Sequence, residues 1–240
     1  MTRLRRKKEA VEVTAEWYRK SEEYFDQPSI FTASAGHTLA DLCVGLERRE
    51  EAREYFERNH ELLVKLHSDS AQLTLRSLAF LYNEQACLRD YKSAEASARK
   101  LIEHMPDKMI DRSILLLGAE VTVGESLYEQ GRFEEARRKM EQVLKSPDLE
   151  KIKQVDVSAL RTVNEQLLKL FEIRAQSSLA LCEIAEGGQI ESISTLESAV
   201  EDMRKLVSEK LYRYAWIADR YAERLVKFES KSEYTSSGNQ

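Results

Sequence analysis

An all-α fold is what this 240-residue chain predicts, and two observations carry the prediction. Helix-disrupting residues are scarce, with eight Gly and three Pro, while Ala, Leu, Glu, Lys and Arg, which lose least on entering a helix, dominate. Apolar residues also recur at three-and-four spacing, as at Leu39, Leu42, Cys43 and Leu46 and again at Leu62, Leu63 and Leu66, and no stretch alternates with period two as a strand would.

About ten helices follow from this pattern. Proline is tolerated in a helix's first turn or outside it and is costly within, so Pro28, Pro106 and Pro147 mark junctions. A first helix over 5–25 ends before Pro28, and 29–46, 48–67, 70–88 and 91–104 follow up to Pro106. The next, 108–130, stops at Gly131, and 132–145 stops before Pro147. A span over 150–186 is long against the ~10–14 residues typical of globular helices, so a break is expected near Asp156 to Ser158. Gly187-Gly188 separates it from 189–208, which carries Ile190, Ile193, Leu196, Val200, Met203 and Val207 along one side. A last helix covers 210–229, and the Ser-rich, polar stretch Ser230 to Gln240 is expected to be a disordered tail.

Charge narrows the function classes. A third of the residues are charged, yet the formal net charge is −5 and the pI about 5.6, the wrong balance for a general nucleic-acid binder. No apolar run approaches the ~20 residues of a membrane span, and the basic start Met1 to Lys8 is not followed by an apolar stretch. A cytoplasmic protein is expected, with the cluster Arg3, Arg5, Arg6, Lys7 and Lys8 leaving a nuclear address open. Cys43, Cys87 and Cys182 have no metal or redox spacing and read as small buried residues of a reduced compartment. His60 and His67 stand two turns apart, about 10 Å along a helix, too far to share a metal. His37 and Asp41 share a helix face, but Cys43 points elsewhere, so no nucleophile meets its base. The chain reads as no enzyme, with no cofactor.

Internal repetition is the most informative signal. Arg48-Arg49-Glu50-Glu51-Ala52, Asp90-Tyr91-Lys92-Ser93-Ala94 and Arg132-Phe133-Glu134-Glu135-Ala136 align, with their alanines 42 residues apart both times. Phe56, Ala98 and Met140 lie four residues beyond each alanine. Small residues such as these alanines, Ala40 and Gly124 suit a close crossing of two antiparallel helices, and Gly131 suits a turn that ends the first of them.

The third unit, from Val123-Gly124 through Leu127-Tyr128-Glu129-Gln130-Gly131-Arg132-Phe133-Glu134-Glu135-Ala136 to Met140, closely resembles the tetratricopeptide repeat (TPR) pattern. The usual period is about 34 residues. Here it is 42, about one more turn in each helix, as in the long variant of kinesin light chains. A HEAT-like array, with a period of about 40–47, is the structural alternative. The resemblance is clear over 30–147, and 148–229 reads as degenerate or capping helices of one domain over 1–229.

The resemblance implies a right-handed α-solenoid of antiparallel hairpins whose first helices line a concave groove that holds peptides or helices. The groove positions carried over are His37, Asp41 and Val44, then Ala79, Asn83 and Ala86, then Val121, Glu125 and Tyr128. The Lys by which some members grip a C-terminal carboxylate is missing, and Asp41 and Glu125 would repel one. Asn83 can pair with a peptide backbone, and the acidic neighbours suit a basic or neutral peptide. The expected function is a protein–protein scaffold or adaptor. A ligand- or peptide-responsive regulator is the alternative, and self-association is compatible with both. On the last helix, Arg213, Arg220, Arg224 and Lys227 fall in one stripe, flanked by Trp216 and by an apolar face of Tyr214, Ile217, Tyr221, Leu225 and Phe228. This stripe is a second candidate surface, suited to an acidic partner segment.

Overall fold

The computed structural model describes residues 3–25, 27–109, 111–150, 162–187, 190–206, 211 and 214–237. Among the described residues it contains eleven α-helices and no strand. The chain divides into two compact units, Met1–Ser126 and Leu127–Gln240.

The first unit holds α1 (Arg3–Tyr24), α2 (Ile30–Val44), α3 (Arg49–Leu66), α4 (Gln72–Cys87) and α5 (Tyr91–His104), each packed on the next. Short connections make successive helices antiparallel neighbours. Local chemistry sets the starts. Pro28 precedes the cap Ser29, whose hydroxyl accepts from the Phe31 N–H, and Asp90 caps α5 by accepting from the Ser93 N–H. Pro106 lies beyond α5 and Pro147 opens α8 (Pro147–Glu150), so all three prolines stand at junctions. The helix α6 (Arg112–Glu129) carries the chain from the first unit into the second.

The second unit continues with α7 (Phe133–Leu144), α8, α9 (Val163–Ala185), α10 (Ile190–Leu206) and α11 (Ala215–Ser237). The helix expected over 150–186 begins only at Val163, because Thr162 and Glu165 form a reciprocal capping box that stops it there. The break anticipated near Asp156 to Ser158 lies outside the described residues. In α10, Leu196, Val200 and Met203 are buried as the periodicity requires, and Val207 is outside the described residues. The α11 backbone is helical as far as Ser237, past the boundary at 229 read from the sequence.

The 42-residue period is written into the backbone. Glu47, Arg89 and Gly131 all have positive φ, at 60°, 65° and 77°. Each sits in the same turn. The following N–H donates to the carbonyl five residues back, Arg48 to Cys43, Asp90 to Gln85 and Arg132 to Leu127, all at 2.9 Å. The positive-φ residue itself donates three back, to Val44, Ala86 and Tyr128. This is the Schellman arrangement, which satisfies the last carbonyls of a helix. The aligned Ala52, Ala94 and Ala136 are all fully buried, as are Phe56, Ala98 and Met140 one turn on. A larger residue at the alanine positions would force the crossing helices apart.

Candidate interaction surfaces

In the first unit, α2 and α4 are packed on both flanks and leave only narrow open strips. Past Ile30, which is exposed at the start of α2, the open positions of that helix are Phe31, Ser34 and Thr38, with Asp41 half-exposed; on α4 they are Leu73 and Arg76, with Phe80, Asn83 and Cys87 half-buried. Spacings of three and four place each set along one line of its helix. The strips meet where His37 lies against Phe80, ring centroids 4.7 Å apart, and against Phe56 at 5.6 Å, while the two phenyl rings stack at 5.5 Å. Arg76 extends the α4 strip by an ion pair to Asp111.

This geometry revises the groove read from the sequence. His37, Asp41 and Asn83 do stand at or beside the open strips, but Val44, Ala79, Ala86 and Val121 are buried, and so is Glu125. Because α2 is packed on α1 and α3, and α4 on α3 and α5, the open edge of each is narrower than the carried-over pattern and runs through Thr38 on α2 and through Arg76 and Phe80 on α4. Asn83 donates one amide hydrogen to the Ala79 carbonyl of its own helix at 2.7 Å. His37 Nε2 is 3.9 Å from the Asp41 carboxylate. Cys43 is fully buried and burial pushes its thiol upward, away from thiolate chemistry.

Two buried polar constellations hold the strips in place. Arg49 at the start of α3 donates to both oxygens of Glu84 on α4, at 3.1 and 3.0 Å, with the carboxylate side chain only 3% exposed. Burial raises the Glu84 carboxyl despite the opposing pull of Arg49. His60 on α3 is also buried. Ser77 Oγ donates to the Thr74 carbonyl, so His60 Nδ1 donates to Ser77 at 3.0 Å, and its Nε2 faces Lys100 at 3.5 Å. Burial, then the Lys100 charge, holds the imidazole below its usual range.

In the second unit the expected cation stripe is largely consumed by packing. Arg224 is 11% exposed, pairs with Glu129, and lies over the rings of Tyr221 at 4.6 Å and Tyr128 at 5.4 Å. Tyr128 also meets Phe133 at 5.3 Å, and burial raises its phenol. Arg220 is 9% exposed and covers Trp216 at 5.1 Å. Lys227 is exposed, and Arg213 lies outside the described residues. The apolar side packs as expected at Ile217 and Tyr221. The Tyr221 hydroxyl donates to the Arg174 carbonyl at 3.1 Å and stands 2.6 Å from Ser178 Oγ.

Among the described residues no helix is long and apolar enough to cross a membrane, and no cluster of His, Cys, Asp and Glu could hold a metal ion. No family model and no curated protein matches the chain. Solved structures do. One is a single-residue variant of a Podosopora anserina protein described as a putative kinesin light chain with nearly identical TPR-like repeats. It is 16% identical with a TM-score of 0.60, over 83% of this chain and 87% of that one. The form without that substitution is 17% identical with a TM-score of 0.57, over 83% and 88%. Together with the turns repeating at 47, 89 and 131, these likenesses show that the chain has the all-α, TPR-like helical-repeat fold.

Proposed function

We propose that the chain is a non-enzymatic scaffold or adaptor, one TPR-like domain over 1–229, that holds a peptide or helical segment of another protein along the open strips of α2 and α4. The observation that carries this reading is the juxtaposition of apolar groups with hydrogen-bonding groups on those strips. Phe31 and Leu73 are 61% and 47% exposed at one end, His37 and Phe80 lie in the middle, and Asp41 and Asn83 stand at the other end. An amphipathic segment matches that gradient, its apolar side on Phe31, Leu73 and Phe80 and its backbone or basic groups toward Asp41 and Asn83. The internal bond of Asn83 uses one amide hydrogen, which leaves the other and the Oδ1 lone pairs to a ligand.

The test is affinity capture from a cell extract with wild type and a Phe31→Asp/Leu73→Asp variant, read by quantitative mass spectrometry. Both side chains are largely exposed, and the one packing contact named for them is the stacking of Phe31 on Phe25 at 6.0 Å, so the variant should lose no more than about 1 kcal/mol and keep its helix content. The proposal expects a discrete set of proteins to fall about tenfold or more in the variant, as loss of an apolar anchor does. Equal capture by both baits refutes it.

A further inference from the structure

The helix α1 carries two parallel seams, of which one packs on α2 and α3, while the contacts of the other are with its own neighbours, Lys20 with Glu16 and Tyr24 with Phe25. Lys7, Val11, Thr14, Tyr18, Ser21 and Phe25 form the inner seam. Val11, Tyr18 and Ser21 are buried, Tyr18 meets Tyr55 of α3 edge-on at 5.8 Å, and Lys7 Nζ donates to the Gly45 carbonyl that ends α2. A Cβ on Gly36 would stand 3.0 Å from the Tyr18 ring, so α1 and α2 pack closely there. Beside this lies a second seam with spacings of four and three: Arg6, Ala10, Val13, Trp17, Lys20 and Tyr24. It faces solvent, with Val13 69%, Trp17 47% and Tyr24 81% exposed. An alternating four-three row is the pattern by which one helix packs along another.

We propose that this outer seam pairs with the same seam of a second copy, the two α1 helices running antiparallel about a two-fold axis. Two features of the seam choose this occupant. The first is size matching. When one copy runs backwards past the other about the midpoint between Val13 and Trp17, the row maps onto itself. Val13 meets Trp17, Ala10 meets the stem of Lys20, and Arg6 meets Tyr24, so every large side chain faces a small one or a compatible one. A cation over an aromatic ring is itself attractive. An isologous interface requires this kind of self-complementarity.

The second feature is charge. Residues 3–10 carry five cations and one anion, whereas 11–24 carry four anions and two cations. Antiparallel pairing sets the basic end of each helix beside the acidic end of the other, with Arg6 near Glu23 across the axis; Glu23 and Glu16 also hold Arg19 and Lys20 of their own helix, at 2.5 and 2.6 Å. Parallel pairing would stack like on like. One helix pair lies at or below the low end of specific interfaces, about 1,200 Å², so the dimer is weak and its population follows concentration.

Sedimentation velocity from about 1 μM to 1 mM spans the affinities of such small contacts. Wild type should shift from monomer to dimer within this range. Val13→Asp/Trp17→Asp should stay monomeric at unchanged helix content and melting temperature, because both sites are exposed. Arg6→Glu should raise the dissociation constant about tenfold, and Arg6→Glu/Glu23→Arg should return it to near wild type. Mixing single Arg6→Glu and Glu23→Arg chains should give a heterodimer stronger than either self-pair. A wild type that stays monomeric throughout overturns the proposal. So does a dimer unaffected by the double Asp variant, or an Arg6→Glu defect that the second reversal fails to rescue. None of these outcomes bears on the strips of α2 and α4, which lie on other helices.

Discussion

The three matched turns make a reciprocal prediction about backbone strain. Gly131 has φ +77°, and a Cβ added there would meet nothing within 4 Å. Gly131→Ala therefore isolates the cost of the left-handed conformation, about 1–2 kcal/mol for an L-residue, less the ~0.4–1 kcal/mol by which Ala restrains the unfolded chain relative to Gly. A net loss of about 1 kcal/mol is expected. Glu47 holds the same conformation at φ 60°, so Glu47→Gly should gain up to about 1 kcal/mol by the reverse account. Its carboxylate is 84% exposed and 3.7 Å from Arg49, and an ion pair so hydrated contributes little. In a chain of this size each kcal/mol moves the melting midpoint by about 2–4 °C. Urea and thermal melts of both variants should thus move in opposite directions. If Gly131→Ala leaves the midpoint in place, or Glu47→Gly lowers it, the turns are not strained as described.

Three further outcomes are expected. Glu84→Ala should cost about 3 kcal/mol by leaving the largely buried Arg49 with only the exposed Glu47 carboxylate at 3.7 Å, whereas Arg49→Met/Glu84→Leu should recover most of it; a double variant no better than the single one contradicts the account. For His60, the folded pKa is depressed, so the unfolded chain takes up the proton first as pH falls below about 6.5. Stability should be full above that pH and decline below it, and His60→Asn should remove that component of a urea-midpoint titration from pH 8 to 5. Arg224→Ala should destabilise by about 2–3 kcal/mol, since it removes a cation from two rings and leaves Glu129 unpaired; a melt within ~0.5 kcal/mol of wild type would mean the stripe is surface after all.

Helix count, junctions and repeat were legible because each has a local cause. Proline is costly beyond a helix's first turn, and Ala52, Ala94 and Ala136 mark close crossings wherever they recur. The open side of α2 and α4 was not legible. In α4, Thr74, Leu75, Ser77, Leu78, Ala79, Leu81, Tyr82, Glu84, Gln85 and Ala86 are all buried, which covers nearly the whole circumference. A helix packed on both flanks has no single apolar stripe, so periodicity cannot point to its free edge. The turns at Glu47 and Arg89 were equally hidden, because only Gly131 announces a left-handed residue by type. The 42-residue offset from Gly131 was the signal that could have found them. Arg224 misled for another reason. A cation reads as solvated, and its partner Glu129 lies 95 residues away, beyond any local pattern.

The recurrence of one turn at 47, 89 and 131 means that residues 48–89 behave as a cassette. The segment begins just after one left-handed residue and ends on the next, and the backbone hydrogen bonds that close it match those that precede it. Its two ends are interchangeable. A second copy of 48–89 spliced after Arg89 would meet a junction already solved, with Ala52 of the insert falling where Ala94 now lies. The chain can therefore lengthen by whole units without inventing a new connection, and the same join gives an engineer a place to cut.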